Sequence, residues 1–189
     1  ALSPNDQPLE RSHQAVMDAA MRRISADLKR RRSEGDLRPA VVMAHAFIVG
    51  AAPSDSERNI EVGGVPSVSA ETVENFGGDP QAPTPGLSYV ALGHLHRPQV
   101  IPSSQVPIRY SGSPIAYSFS EAPGDKSAVI IDTHPEDEKL MPHAQRVEIS
   151  GISMPLALST VDIPSAHPLV VLTGSIDSLL EKAVQIDRE

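Results

Sequence analysis

The sequence predicts a mixed α/β fold, and three observations carry that expectation. Two short apolar runs, 40–44 and 89–92, have the length and composition of buried strands, and histidines follow both. A stretch from Ser12 to Ser33 repeats apolar residues at helical spacing. A third apolar run, Ser127 to Ile131, has the pattern of a further strand.

The elements follow in order. Residues 1–11 are polar and contain proline, a loosely packed start. The helix should begin with Ser12 as its N-cap. Met17, Met21, Ile24 and Leu28 recur at i, i+4, i+7 and i+11 and form one apolar stripe, and Gly35 suits the stop. Arg22, Arg23, Lys29, Arg30, Arg31 and Arg32 crowd its second half. They are either a solvated face whose cations suit the helix C-terminus or a patch that contacts phosphate.

Residues 40–44 form the strand leading to His45. Residues 48–67 are a long loop around Ser54-Asp55-Ser56-Glu57-Arg58, and loops of this length are often functional. A short helix is expected from Ser69, as N-cap, to Phe76. Gly77 to Gly86 holds three prolines and three glycines and reads as a flexible excursion. Further strands are expected at 89–92, 99–102, 107–111 and 127–131. Ser111-Gly112-Ser113-Pro114 is a tight turn between two of them. Residues 134–143 are a charged linker, and 145–149 add a strand. Strands at 156–163 and 169–172 then precede a helix capped by Ser175, with Ile176, Leu179, Leu180, Ala183 and Val184 on its apolar face.

The chemistry concentrates in Tyr89-Val90-Ala91-Leu92-Gly93-His94-Leu95-His96-Arg97-Pro98. In an extended backbone, residues i and i+2 share a face, so His94 and His96 are expected to aim into one site. Gly93 lets the chain turn or come close to a bound group. Imidazole is the commonest metal ligand among side chains. The alternative is two polar residues at a strand end. His45 ends the other apolar run, Val41-Val42-Met43-Ala44, and sites in open α/β sheets form at the carboxyl ends of strands. One cleft is therefore expected to collect His45, His94 and His96. Arg97 and Arg109 flank it and are either phosphate contacts or salt-bridge partners. His13, His134, His143 and His167 lie outside apolar strand ends and read as surface residues.

Composition bounds the rest. The chain has 189 residues, 40% of them hydrophobic and only 3% aromatic, so its core must rest on Val, Ile, Leu and Ala. Without cysteine it has neither disulfides nor thiolate metal sites. No apolar run approaches the ~20 residues that span a bilayer, and no signal peptide is visible. The expectation is a soluble cytoplasmic protein with no membrane contact. A net charge of −8 argues mildly against a broad basic DNA-binding surface.

Several segments in this order resemble one family. They are Val42-Met43-Ala44-His45-Ala46-Phe47, Ser54-Asp55-Ser56-Glu57-Arg58, Val62-Gly63-Gly64, the Gly93-His94-Leu95-His96 region, Arg109-Tyr110-Ser111-Gly112-Ser113-Pro114 and Tyr117-Ser118-Phe119-Ser120-Glu121. Together they resemble the SbcD exonuclease subunits, calcineurin-like metallophosphoesterases that work with the SbcC ATPase. The resemblance covers about Ser12 to Asp132 and weakens beyond. It implies part of a two-sheet metallophosphoesterase sandwich flanked by helices in residues 1–150. Residues 151–189 would start a small α+β DNA-capping domain. It implies two Mn²⁺ (or Mg²⁺) ions in the intact protein, His45 and His94 on one and His96 on the other, and places the turn at Ser111 and Ser113 near the phosphate. It also implies duplex DNA as substrate, an SbcC-like ATPase as partner, and a homodimer.

The family's Asp-x-His and Gly-Asn-His-Asp motifs are missing from residues 1–44. The expectation is therefore a fragment with partial or no metal occupancy and no activity of its own. Two other functions stay open: hydrolysis of a small phosphodiester or nucleotide, and a non-catalytic scaffold for DNA or a partner. A mononuclear three-histidine zinc site is a lesser variant.

Overall fold

The computed structural model describes residues 8–53, 67–74, 86–102, 106–121, 124, 126–132, 145–147, 156–164 and 174–186. Helix α1 (His13–Ser33) starts where its cap requires. Ser12 is extended at φ −137°, and its side chain accepts the Ala15 N–H at 3.1 Å. It stops at Gly35, which sits at φ +87°. Gly35 N–H bonds Arg32 O and Asp36 N–H bonds Arg31 O, both at 3.0 Å, satisfying two terminal carbonyls.

The apolar stripe holds for three of its four members. Met21 and Leu28 are buried and Met17 packs beside them, but Ile24 is 38% exposed. Ile24 faces a cavity of about 620 Å³ between α1 and the start of strand β1 (Val41–His45), so no core lies beneath it. The basic run is a solvated face. Arg30 pairs with Asp27 at 2.6 Å and Glu34 at 2.8 Å, and Arg31 with Asp27 at 2.7 Å. Arg31, and after it Arg30, hold the Asp27 carboxyl below its usual range by donating to it. Arg32 instead turns inward and donates to Asp36 O.

Strand β1 lies in a four-stranded sheet with strands β4 (Tyr89–Gly93), β5 (Gln99–Ile101) and β6 (Ile108–Tyr110), in the order β1-β4-β6-β5. The first three are parallel, and β5 runs antiparallel to β6. Val42, Val90, Leu92 and Ile108 fill one face against α1. Between β1 and β4 in sequence, strands β2 (Phe47–Ile48) and β3 (Ser67–Val68) pair in parallel at the two ends of the span expected to be loop. Helix α2 covers only Glu71–Glu74 among the described residues. The Gln14 side chain accepts the Ser69 N–H just before it at 2.8 Å.

The third sheet is antiparallel. Strand β9 (Leu156–Asp162) pairs with β7 (Ser127–Asp132) and with β8 (Gln145–Val147). Strands on both sides of residue 150 thus share hydrogen bonds. Leu158 packs on Tyr89, which carries β9 onto the second face of the first sheet. Helix α3 (Ile176–Ile186) follows Ser175, and Ile176 and Leu180 of its expected apolar face are exposed. The segments 54–58, 62–64 and 169–172, and His134, His143 and His167, lie outside the described residues. Among the described residues no helix is long and apolar enough to cross a membrane. The architecture is mixed α/β, as the sequence predicts.

Candidate metal centre at the strand ends

Strands β1 and β4 are adjacent, parallel and in register from Val41↔Tyr89 to His45↔Gly93. Both therefore end on one edge. His45 sits on that edge, and His94 follows one residue after it. The two rings meet at 5.3 Å between centroids with planes at 66°. Gly93 makes the approach possible, because a Cβ there would lie 3.1 Å from His45 Nδ1. His94 itself adopts φ +104°, a region non-glycine residues avoid at a cost of roughly 1–3 kcal/mol.

That backbone turn means extended-strand alternation no longer relates His94 to His96. The alternation of side chains holds only while the chain is extended, and the strand ends at Gly93. His96 is held by other partners, with Nδ1 3.0 Å from Glu121 Oε1 and its ring 4.8 Å from that of Tyr117. Among the described residues no three His, Asp or Glu side chains gather closely enough to hold one ion. The single cleft collecting three histidines is thus a pair plus a separately held third.

The turn at Ser111–Pro114 is locked to the segment carrying His96. Ser113 N–H donates to His96 O at 3.1 Å, and Ser113 Oγ–H to Ile115 O at 2.7 Å. Gly112, at φ +84°, lies flat against Pro98. Lys126, buried at the start of β7, donates to His96 O at 3.3 Å, Ser113 Oγ at 3.2 Å and Glu121 Oε2 at 3.1 Å. Glu121 and Lys126 are the residues missed as partners of the histidines. Glu121 lies in a segment that carries the resemblance, but no local pattern pairs a glutamate with a histidine 25 residues earlier.

No protein-family model matches the chain. Individual proteins do. The SbcD component of the SbcCD nuclease from Bacillus subtilis strain 168 is 46% identical over 98 residues, 52% of this chain and 22% of that protein. Its Rhodobacter capsulatus counterpart is 35% identical over 126 residues, 65% of this chain and 28% of that protein. The Escherichia coli K12 counterpart is 29% identical over 147 residues, 78% of this chain and 30% of that protein. Over these stretches the chain is similar to SbcD subunits. It spans between about a fifth and a third of the length of these relatives.

The remaining candidate site residues are spread around the pair. Arg97 is exposed and reaches Ser120 O at 3.4 Å. Ser111 is half-buried directly after β6. Arg109 lies within β6 opposite Ala91, and its Nε is buried without an acceptor among the described residues. The large cavity beside α1 lies at the amino end of β1, away from the histidines.

Tyr110 fixes the far side of the pair. Its hydroxyl donates to Ala46 O at 2.7 Å and accepts the Ile48 N–H at 2.9 Å, clamping the segment directly after His45. Tyr110→Phe should destabilise the fold by about 1–3 kcal/mol, because it leaves a buried carbonyl and N–H unpaired. A loss below about 0.5 kcal/mol in urea unfolding would sink this account. Burial pushes the Tyr110 hydroxyl from 10.0 up to about 12, against the opposing bond from Ile48. A raised acid favours its neutral form in the folded state. That contribution is complete below the unfolded value of 10.0 and is lost as pH rises towards about 12. Burial also raises Tyr89, so the wild-type minus Tyr110→Phe difference in urea midpoint isolates Tyr110. That difference should shrink over this window.

Proposed function

We propose that this chain carries part of an SbcD-type two-metal phosphodiesterase centre and takes part in metal-dependent cleavage of duplex DNA. The observation that carries the proposal is the contact of His45 with His94 at the common end of two parallel strands. Strained backbone at His94, held where two imidazoles converge, supports a ligand role over chance polarity. The contact of His45 with His94, and the hold of Glu121 on His96, support giving His45 and His94 to one ion and His96 to the other. The donor set fits in part: imidazoles suit Mn²⁺ when carboxylates complete the shell, and the described residues bring no carboxylate to the pair. Such ions, when bound, supply polarisation of the phosphate and activation of water.

The chain's own residues hold and orient. Gly93 admits the His45 ring, the turn at Ser113 fixes His96, and Arg97 is the phosphate contact nearest His96 in sequence, with Ser111 beside it. Arg109 and Ser113 act through strand and turn. The two packed sheets are the matching part of a metallophosphoesterase sandwich, and residues 151–189 the start of a capping domain. The names of the relatives support an SbcC-like ATPase as partner, and the family resemblance supports a homodimer on linear duplex DNA.

Bound Mn²⁺ and Mn²⁺-dependent cleavage of linear duplex DNA test this proposal. The measurements are made on the chain alone and with the remainder of an SbcD protein supplied separately. The mixture should bind about two ions and cut, while the chain alone does neither. Tight metal binding and cutting by the chain alone would show that the ligands have been wrongly assigned.

A further inference from the structure

We propose that Glu121 is a positioning residue for His96. Resting on the two-metal reading above, it selects which nitrogen of His96 faces the ion. Glu121 is 2% exposed and Lys126 8%. Such burial is stable for a carboxylate only when its charge is met by partners. Lys126 Nζ lies 3.1 Å from Oε2, and the Tyr117 N–H donates to the same oxygen at 3.1 Å. The carboxylate is therefore an acceptor with a fixed direction. Oε1, 3.0 Å from His96 Nδ1, receives the ring proton. With the proton on Nδ1, the lone pair of the neutral ring is on Nε2. Carboxylates behind ligating histidines act in this way: they fix the tautomer, orient the ring and raise its basicity.

Lys126 extends the same control to the backbone. One ammonium joins Glu121, Ser113 Oγ and His96 O. The turn after β6, the turn ending at Glu121 and the segment carrying His96 thus converge on one buried ion pair. A purely structural ion pair would need no imidazole on the outer oxygen. The geometry instead aims Glu121 between a cation and a ring.

The test is ¹⁵N NMR of the full chain with labelled histidine, free of metal, at a pH where imidazole is neutral. His96 is assigned by its loss in His96→Gln. Wild-type His96 should show a protonated Nδ1 and an unprotonated Nε2. Glu121→Gln should mix the two tautomers, and Glu121→Asp should restore most of the wild-type signature. An unprotonated Nδ1 in the wild type overturns the proposal without any variant. So does an unchanged His96 signature in folded Glu121→Gln. A second arm measures Mn²⁺ affinity in the mixture with the remainder of an SbcD protein. Glu121→Gln should lower it about 10–100-fold. If the tautomer result holds but no Mn²⁺ binds even to the wild type, the two-metal reading fails and the positioning of His96 stands. If Mn²⁺ binds equally to wild type and Glu121→Gln, the ion does not use the nitrogen Glu121 selects, and the proposal falls.

Discussion

His94→Gly should leave the protein more stable than His94→Ala by about 0.5–2 kcal/mol, while both variants lose the Mn²⁺ binding proposed for the pair. His94 adopts φ +104°, where any Cβ meets the backbone and glycine does not. Alanine keeps the strain and loses the ring contact with His45. Glycine loses the same contact but releases the strain, at the expense of about 0.5–1 kcal/mol of extra chain entropy in the unfolded state. Stability and function therefore separate at this residue. Glycine is the better backbone choice, and only a requirement for the imidazole favours histidine. On the proposed ligand role of His94, its loss should weaken Mn²⁺ binding by more than the 10–100-fold expected for an outer partner. Urea unfolding and Mn²⁺ titration in the mixture with the remainder of an SbcD protein measure the two effects. If the alanine variant is as stable as the glycine variant, the backbone there is not strained. If alanine retains metal affinity, the pair is not a ligand pair.

The same residue marks how far the sequence could be read. The start of α1 was legible because Ser12 and the apolar stripe are local signals that act over one or two turns. The strands into the site were legible because their apolar runs end abruptly at glycine or histidine. Parallel pairing then brings His45 and His94 together, as expected of two strand ends. The direction of His96 was not legible. Alternation along a strand assumes extended dihedrals, and nothing local announces that histidine, a residue with a Cβ, takes positive φ. Nor could β2 and β3 be foreseen, since two-residue strands carry too few side chains to show a period and depend on pairing across the intervening segment. The Glu121–Lys126 pair joins residues five apart to a histidine 25 residues back. Only the closing of the turn at Gly112 onto Pro98 brings them into contact.

That closing contact makes Gly112→Ala the most damaging small substitution expected in the described region. Gly112 is at φ +84°, and a Cβ there would lie 2.8 Å from Pro98 Cδ and Cγ and 2.9 Å from its nitrogen. Two effects combine. The left-handed backbone costs an L-residue about 1–2 kcal/mol, and forcing a methyl group into packed atoms typically costs another 1–3 kcal/mol. The total loss should be roughly 2–5 kcal/mol in urea unfolding. The proline ring cannot swing away as a long side chain would, because its nitrogen belongs to the backbone two residues after His96. The turn must therefore move, taking Ser113 off His96 O and Lys126 off its three partners. Adding Pro98→Ala removes the ring but leaves the backbone strain and the contact at the nitrogen. The double variant should recover about 1–3 kcal/mol relative to additivity, because the two sites share one contact. Additive losses would mean that the turn does not rest on Pro98, and that His96 is held by Glu121 alone.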